Sequence, residues 1–159
     1  MDRTWLLDEQ LTHSIIGAYY DVYNTLGYGF LEHVYVLALE RELLGRGHRV
    51  AREAKVRIFY KGEELCSQRL DMVVDEKVVI ESKATLDLPR AAHRQLYSYL
   101  QATNLEIGLL FNFGLRPEFY RVQSRNRRQA RSASPCDLED IKRKRIEPSD
   151  RYPPLDSPI

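Results

Sequence analysis

Two residues of opposite charge stand at the end of an apolar run, where a buried strand has no packing need for them. In the stretch VVIESKA, residues 78–84, Glu81 and Lys83 flank Ser82 directly after Val78, Val79 and Ile80. Strand side chains alternate between faces, so Glu81 and Lys83 share one. Asp71 comes ten residues before Glu81, on the far side of a turn near residue 76. In an antiparallel hairpin that places it close to opposite Glu81, with Cβ atoms roughly 5 Å apart. Two carboxylates at that distance repel by about 3 kcal/mol at an effective dielectric of about 20. The repulsion can be offset by Lys83, or by a divalent cation, since carboxylates and waters are the ligands that Mg²⁺ prefers.

Three further polar residues stand out. Glu32 interrupts an apolar helical face formed by Leu31, Val34, Tyr35 and Val36. An acid in that setting either reaches solvent at the rim or joins a site. Gln95 and Tyr99, four residues apart, share one helix face.

The elements that position these residues follow from periodicity. Leu11, Ile15, Tyr19, Val22, Tyr23 and Leu26 predict a helix over about 8–26, with Gly27 as its stop. A second helix is expected from about Phe30 to Leu44, ended by Gly45-Arg46-Gly47. The pattern then switches to alternation, with turns at Lys61-Gly62 and at Asp75-Glu76-Lys77. It predicts an antiparallel meander with strands at about 50–60, 64–74 and 78–83. Pro89 opens a third helix over about 90–102. EIGLLFNFG and EFYRVQ read as two more strands. The order is ααβββαββ, a mixed α/β fold.

Composition sets the outer bounds. A chain of 159 residues, 43% hydrophobic and 30% charged, fits one soluble domain, with residues 8–122 as its folded part. No apolar run approaches the roughly 20 residues of a membrane span, and MDRTWLLDEQ lacks the apolar core of a signal peptide. A cytoplasmic, membrane-free protein is expected. Residues 1–122 carry 15 Lys+Arg against 17 Asp+Glu, while residues 123–159 carry 9 against 6. Contact with nucleic acid would therefore use a local patch or the basic tail. The tail, 123–159, contains SRNRRQARSASP and EPSDRYPPLDSPI and is expected to be largely disordered, with one short helix in SPCDLEDIKRKRIE capped by Ser134. Cys66 and Cys136 are too few for a four-cysteine metal site, and His13, His33, His48 and His93 lack metal-ligand spacing. There is no phosphate-binding G-x-x-x-x-G-K and no G-x-S-x-G elbow.

The D…E-x-K pattern on a hairpin, between helices, resembles the PD-(D/E)XK nuclease superfamily, whose αβββαβ core is contained in the expected order. QLYSY, from Gln95 to Tyr99, is similar to the Q-x-x-x-Y motif of its RecB-type branch. GFLEHVY, with Gly29, Glu32 and Tyr35, resembles the signature of the GxxExxY protein family. YKGEEL, LDMVVDEKVVIESKA, QLYSYL and GLLFNFG resemble that family's other blocks, in the same order, so the likeness covers about residues 11–122. The resemblance implies a restriction-endonuclease-like core, a central mixed sheet flanked by helices, and a phosphodiesterase dependent on Mg²⁺ or Mn²⁺. Asp71, Glu81 and Glu32 would serve the metal, Lys83 would orient or deprotonate the attacking water and stabilise charge on the phosphate, and Gln95 and Tyr99 would position the strand. Ser82 departs from the apolar residue common in the middle of E-x-K. The substrate would be nucleic acid, DNA ahead of RNA.

Each feature also has a plainer reading. Glu81 and Lys83 can form a surface ion pair, Glu32 can be a helix N-terminal acid, Tyr35 is a core aromatic, and Gly29 serves the interhelix turn. At the level of function the alternatives are a catalytically silent nucleic-acid-binding module, and a subunit of a repair or defence complex. For the latter, Tyr19, Tyr20 and Tyr23 would offer apolar surface to a partner or a homodimer.

Overall fold

The computed structural model describes residues 4–103, 105–124, 136–137 and 139–148. Helix α1, Thr4–Leu26, buries Ile15, Ala18, Tyr19 and Val22 on one face. It stops at Gly27, whose φ of 67° lies in the left-handed region that a side chain disfavours. Helix α2, Glu32–Gly45, packs beside α1 and buries Tyr35, Leu39 and Leu43. Strands β1 (Val50–Tyr60), β2 (Glu63–Val74) and β3 (Val78–Lys83) form the antiparallel meander. Helix α3, Arg90–Thr103, then leads to β4, Ile107–Phe113, which pairs parallel to β3. Strand β5, Pro117–Gln123, returns antiparallel at the edge. The expected boundaries in this region hold to within one or two residues, apart from the start of α1.

The sheet order is β5-β4-β3-β2-β1-β6. One face packs on α1 and α2 through Val78, Ile80, Leu109 and Phe111. The other packs on α3 through Val79, Leu96, Leu100 and Leu110. Layers on both sides explain why β3 and β4 read as continuous apolar runs.

The C-terminal segment contains the expected short helix and adds two strands that were not expected. Strand β6, Cys136–Asp137, and strand β7, Arg145–Ile146, both pair with β1, and the short helix α4, Glu139–Lys144, lies between them. Ile141 of α4 is buried in the α3-side core. An eleven-residue β1 presents a long edge, and this segment covers part of it. Ser134, the expected cap, lies outside the described residues, as do 125–135 and 149–159.

The tyrosines of α1 are also placed differently from a partner surface. Tyr19 is fully buried, stacked on Phe111 with ring centroids 4.3 Å apart, and its hydroxyl donates to the Asn112 carbonyl. Tyr20 and Tyr23 are half-buried against the same core, and the Tyr23 hydroxyl donates to the Gly114 carbonyl. These rings fasten α1 to the ends of β4 and β5.

A polar strap closes the opposite end. Ser14 Oγ lies 2.8 Å from His48 Nε2, and Asp75 Oδ2 lies 2.8 Å from His48 Nδ1. Asp75 also accepts the Arg49 amide. Burial would raise the Asp75 pKa, but His48 and the Arg49 amide outweigh it and hold the carboxyl below its usual value. A carboxylate depressed in the folded state adds stability above its unfolded pKa and loses it as pH falls through the folded one. Asp75→Asn is therefore expected to destabilise the protein at pH 7 and to shrink the loss of stability on acidification, read by urea melts at pH 7 and pH 3. Serine, histidine and aspartate stand in line here, but Ser14 is mid-helix and its neighbouring amides are used within α1, which leaves them unable to serve as oxyanion donors.

Gly108 sets the distance between β4 and α3. A Cβ there would stand 2.8 Å and 2.9 Å from Leu96 Cδ1 and Cγ. Gly108→Ala is expected to cost about 1–3 kcal/mol in denaturant melts, since Leu96 must move and α3 with it.

Candidate active site

The β2–β3 ladder runs from Val74↔Val78 to Met72↔Ile80 and stops there. Beyond it the strands part, with β2 continuing on β1 and β3 on β4. Asp71 stands at the fork, one step past the last pair, and its Oδ2 accepts the Ser82 amide at 3.0 Å. A side chain thus satisfies a backbone donor that the ladder leaves open. Glu81 continues the β3 face that carries Val79 towards α3 and is 2% exposed. Lys83 Nζ lies 3.0 Å from Glu81 Oε1. Glu81 and Lys83 share a face of β3, and Asp71 stands beside Glu81 one step beyond the last β2–β3 pair, where the strands part. Ser82 points to the other layer and is buried.

The electrostatics of this group are those of an acid pair short of positive charge. Burial, then the charge of Asp71, pushes the Glu81 carboxyl up to about 7. Asp71 is raised by burial, against the opposing effects of the Ser82 amide and Lys83. Burial alone would lower Lys83, but the Glu81 hydrogen bond and the charges of Glu81, Glu32 and Asp71 raise it overall, so it remains a cation. Glu81 Oε2 is buried with no hydrogen-bond partner. Asp71 stands within side-chain hydrogen-bond reach of Glu81, so the pair is held either by a proton shared between the two acids or, once both are ionised, by a cation, since a buried anionic oxygen without a donor is costly. One or two carboxylates with open positions are the usual protein contribution to a Mg²⁺ site, and Asp71 with Glu81 fits that description.

Glu32 arrives from the other layer as the first residue of α2. The Ala84 amide, just past the end of β3, hydrogen-bonds to its carboxylate, and its pKa is raised by burial against the pull of Lys83. It thus stands in the field of the group without closing a three-ligand set. Among the described residues no three His, Cys, Asp or Glu side chains are grouped to hold a metal ion. Glu32 therefore stands beside the pair, the place expected of an acid that reaches a metal-bound water or a second ion rather than the ion held by Asp71 and Glu81.

On α3, Gln95 Nε2 donates to Tyr99 Oη at 2.6 Å. Tyr99 is nearly buried, and its pKa is raised by burial and then by the charge of Glu81, which puts the ring beside the acids. Gln95 and Tyr99 also line a cavity of about 380 Å³ with Gln68, Ala91, Arg94 and Ser98.

Three contributors were missed in the sequence. Gln68 lies beside Ser98, and its Oε1 is buried without a partner. Glu53 would face Asp71 in the β1–β2 register but adopts a φ of 57°, and its charge acts on Asp71. Its carbonyl accepts from Lys144 Nζ at 2.7 Å, so α4 reaches the margin of the site. Asn112, paired with Lys83 in the parallel register, receives the Thr85 amide on its Oδ1 and donates from Nδ2 to the Thr85 carbonyl. Only Asn112 had a visible signal, as the one polar residue in an apolar strand.

Residues 9–122 match the model of the PD-(D/E)XK nuclease superfamily. The chain belongs to this superfamily. Its mixed sheet flanked by helices is a PD-(D/E)XK nuclease fold. A solved structure titled "Crystal structure of SSO0001" is similar at 25% identity and a TM-score of 0.48, over 70% of this chain and 55% of that one. The chain thus spans about half the length of that protein. No curated protein matches. Among the described residues no helix is long and apolar enough to cross a membrane.

Proposed function

We propose that this protein is a divalent-metal-dependent nuclease that hydrolyses phosphodiesters at the fork between β2 and β3, on DNA ahead of RNA. The observation that carries the reading is Glu81: a nearly buried acid, raised to about 7, with one oxygen on Lys83 and the other without a partner beside Asp71. Asp71, Glu81 and Lys83 match the pattern that names the superfamily. Gly29, Glu32 and Tyr35 support the finer assignment to the GxxExxY family.

Asp71 and Glu81 would hold the ion, Mg²⁺ or Mn²⁺, which when bound polarises the phosphate and makes water a better nucleophile. Lys83, kept protonated by its acidic neighbours, stabilises negative charge that grows on the phosphate. Its raised pKa favours this role over proton abstraction from water. Glu32 lies where it can accept a hydrogen bond from a water at the end of β3. Tyr99, oriented by Gln95, fixes the strand beside the acids, and the adjoining cavity with Arg94 and Gln68 accommodates part of a nucleotide. A divalent ion at the acid pair tests the reading by calorimetry. Wild type is expected to bind Mg²⁺ or Mn²⁺ at millimolar concentration or below and Asp71→Ala to lose binding. Equal binding by both would place the ion elsewhere.

A further inference from the structure

The end of the sheet from which Lys83 emerges carries a concentration of exposed apolar side chains, of which Phe30 also packs edge-on against the buried Tyr35. Tyr28, Phe30, Leu31, Leu86 and Leu115 are 50%, 49%, 81%, 63% and 65% exposed. They lie in three connections, residues 27–31, 84–89 and 114–116. The first joins α1 to α2, and the other two follow the carboxyl ends of β3 and β4.

The three connections are fastened to one another. The buried Tyr35 hydroxyl donates to the Gly27 carbonyl at 2.5 Å and accepts the Phe30 amide at 3.1 Å, closing the first connection on itself. Gly29, with φ of 118°, supplies the backbone this requires. The Tyr35 ring stacks on Phe113 at 4.3 Å, which ties the loop to the end of β4. Gly114 lies against the Thr85 carbonyl so closely that a Cβ would stand 2.6 Å from it. The Glu32 carboxylate on the Ala84 amide joins the first connection to the second. Exposed apolar side chains are thus held in place by a set of polar contacts, around the mouth of the acid–lysine group. In sheets with parallel strands, ligands bind outside the carboxyl ends, and here those ends are the ones that carry the rim.

We propose that this rim is the binding surface for the bases of an unpaired nucleic-acid strand on either side of the phosphate to be cut, which makes single-stranded or locally opened nucleic acid the substrate class. The proposal rests on the phosphodiesterase reading for the position of that phosphate. Leu31 adjoins Glu32, whose charge acts on Lys83, and Leu86 follows Lys83 on the same connection, so a strand whose phosphate meets Lys83 has the rim beside it. Aromatic and aliphatic faces accept any base by stacking or wedging, without sequence preference. In an intact duplex the base faces are covered by their neighbours, so a rim of this kind discriminates against it. Gly29, Glu32 and Tyr35 then act together on the first connection, where glycine shapes the loop, tyrosine locks it, and the acid docks it beside Lys83.

The test is fluorescence anisotropy with a labelled single-stranded oligonucleotide and the blunt duplex of the same sequence, with Ca²⁺ in place of Mg²⁺ and substrate integrity checked on gels. Wild type is expected to prefer the single strand. Phe30→Ser combined with Leu31→Ser should weaken single-strand binding at least about fivefold, with duplex binding unchanged and the fold retained by circular dichroism, and Leu31→Ser alone, which spares the Phe30 contact with Tyr35, should weaken it in the same direction. Leu65→Ser, on an exposed part of the β1–β2 hairpin, should change neither. Tyr35→Phe, which leaves the rim side chains in place and removes the lock, should weaken single-strand binding as well. No preference in wild type, no binding of either oligonucleotide, or an unchanged double variant would overturn the proposal. So would a double variant that changes only its oligomeric state, since the rim would then be a protein interface. Hydrolysis with Mn²⁺ is scored in parallel. Cleavage with no rim effect leaves the nuclease reading standing alone, and a rim effect without cleavage does the reverse.

Discussion

Lys83→Ala is expected to lower phosphodiester hydrolysis by a factor of about 10²–10³, the usual cost of removing one preorganised donor to developing charge. Divalent-ion binding should survive, because Asp71 and Glu81 remain. It should even tighten, since Lys83 at 3.0 Å from Glu81 competes electrostatically for the same carboxylate. This pairing of outcomes separates a role in charge stabilisation from a general collapse of the site. Lys83→Met keeps the length of the side chain without its charge and should behave as the alanine variant does. Calorimetry with Mn²⁺ alongside single-turnover cleavage reads both quantities. A Lys83 variant that loses ion binding and hydrolysis together would show that the lysine holds the acids in place and nothing more.

The second large effect is on stability, through Glu81. Its pKa is raised from 4.5 to about 7 in the folded, cation-free protein, first by burial and then by Asp71. Between those values the folded state holds a proton that the unfolded chain has released. Stability of the cation-free protein therefore falls as pH rises through this window. The full linkage amounts to about 3 kcal/mol by pH 8. Glu81→Gln removes the titration and should be more stable than wild type at pH 8 by an amount of that order, with little difference near pH 4.5. A divalent ion that binds the folded state alone restores the loss, by about 1.4 kcal/mol at ten times its Kd. Urea melts of both proteins at pH 5 and pH 8, with EDTA and with Mg²⁺, check the sign. A Glu81→Gln variant that is less stable at pH 8 than wild type in EDTA would contradict it.

The hairpin that carries the site was legible because its signals are local. The turn at Asp75-Glu76-Lys77 sets the register, and alternation then fixes which side chains oppose and which share a face. Gln95 and Tyr99 were likewise legible from helical spacing. What stayed hidden depends on partners distant in the chain. Glu53 sits in a stretch with no glycine, so its left-handed backbone has no local sign, and its carbonyl partner Lys144 comes from the far end of the sequence. Asn112 was visible as a polar intruder, yet its partner Thr85 is 27 residues away. Tyr19, Tyr20 and Tyr23 offered aromatic surface on paper, but only the sheet shows that it is covered. The short helix around Ile141 was legible from its acids early and bases late, but its docking was not, since one isoleucine and an open β1 edge decide its place. Asp71 and Glu81 come together across the hairpin, whereas Glu32 comes from the opposite layer and stops beside the pair.

Hydrolysis of a panel of single- and double-stranded DNA and RNA with Mn²⁺, wild type beside Lys83→Ala purified in the same way, is the most direct test of the site. The expected result is cleavage by wild type that EDTA abolishes and that the variant lacks. Equal cleavage by the two proteins, or none by wild type on any substrate, would contradict the assignment of hydrolysis to Asp71, Glu81 and Lys83.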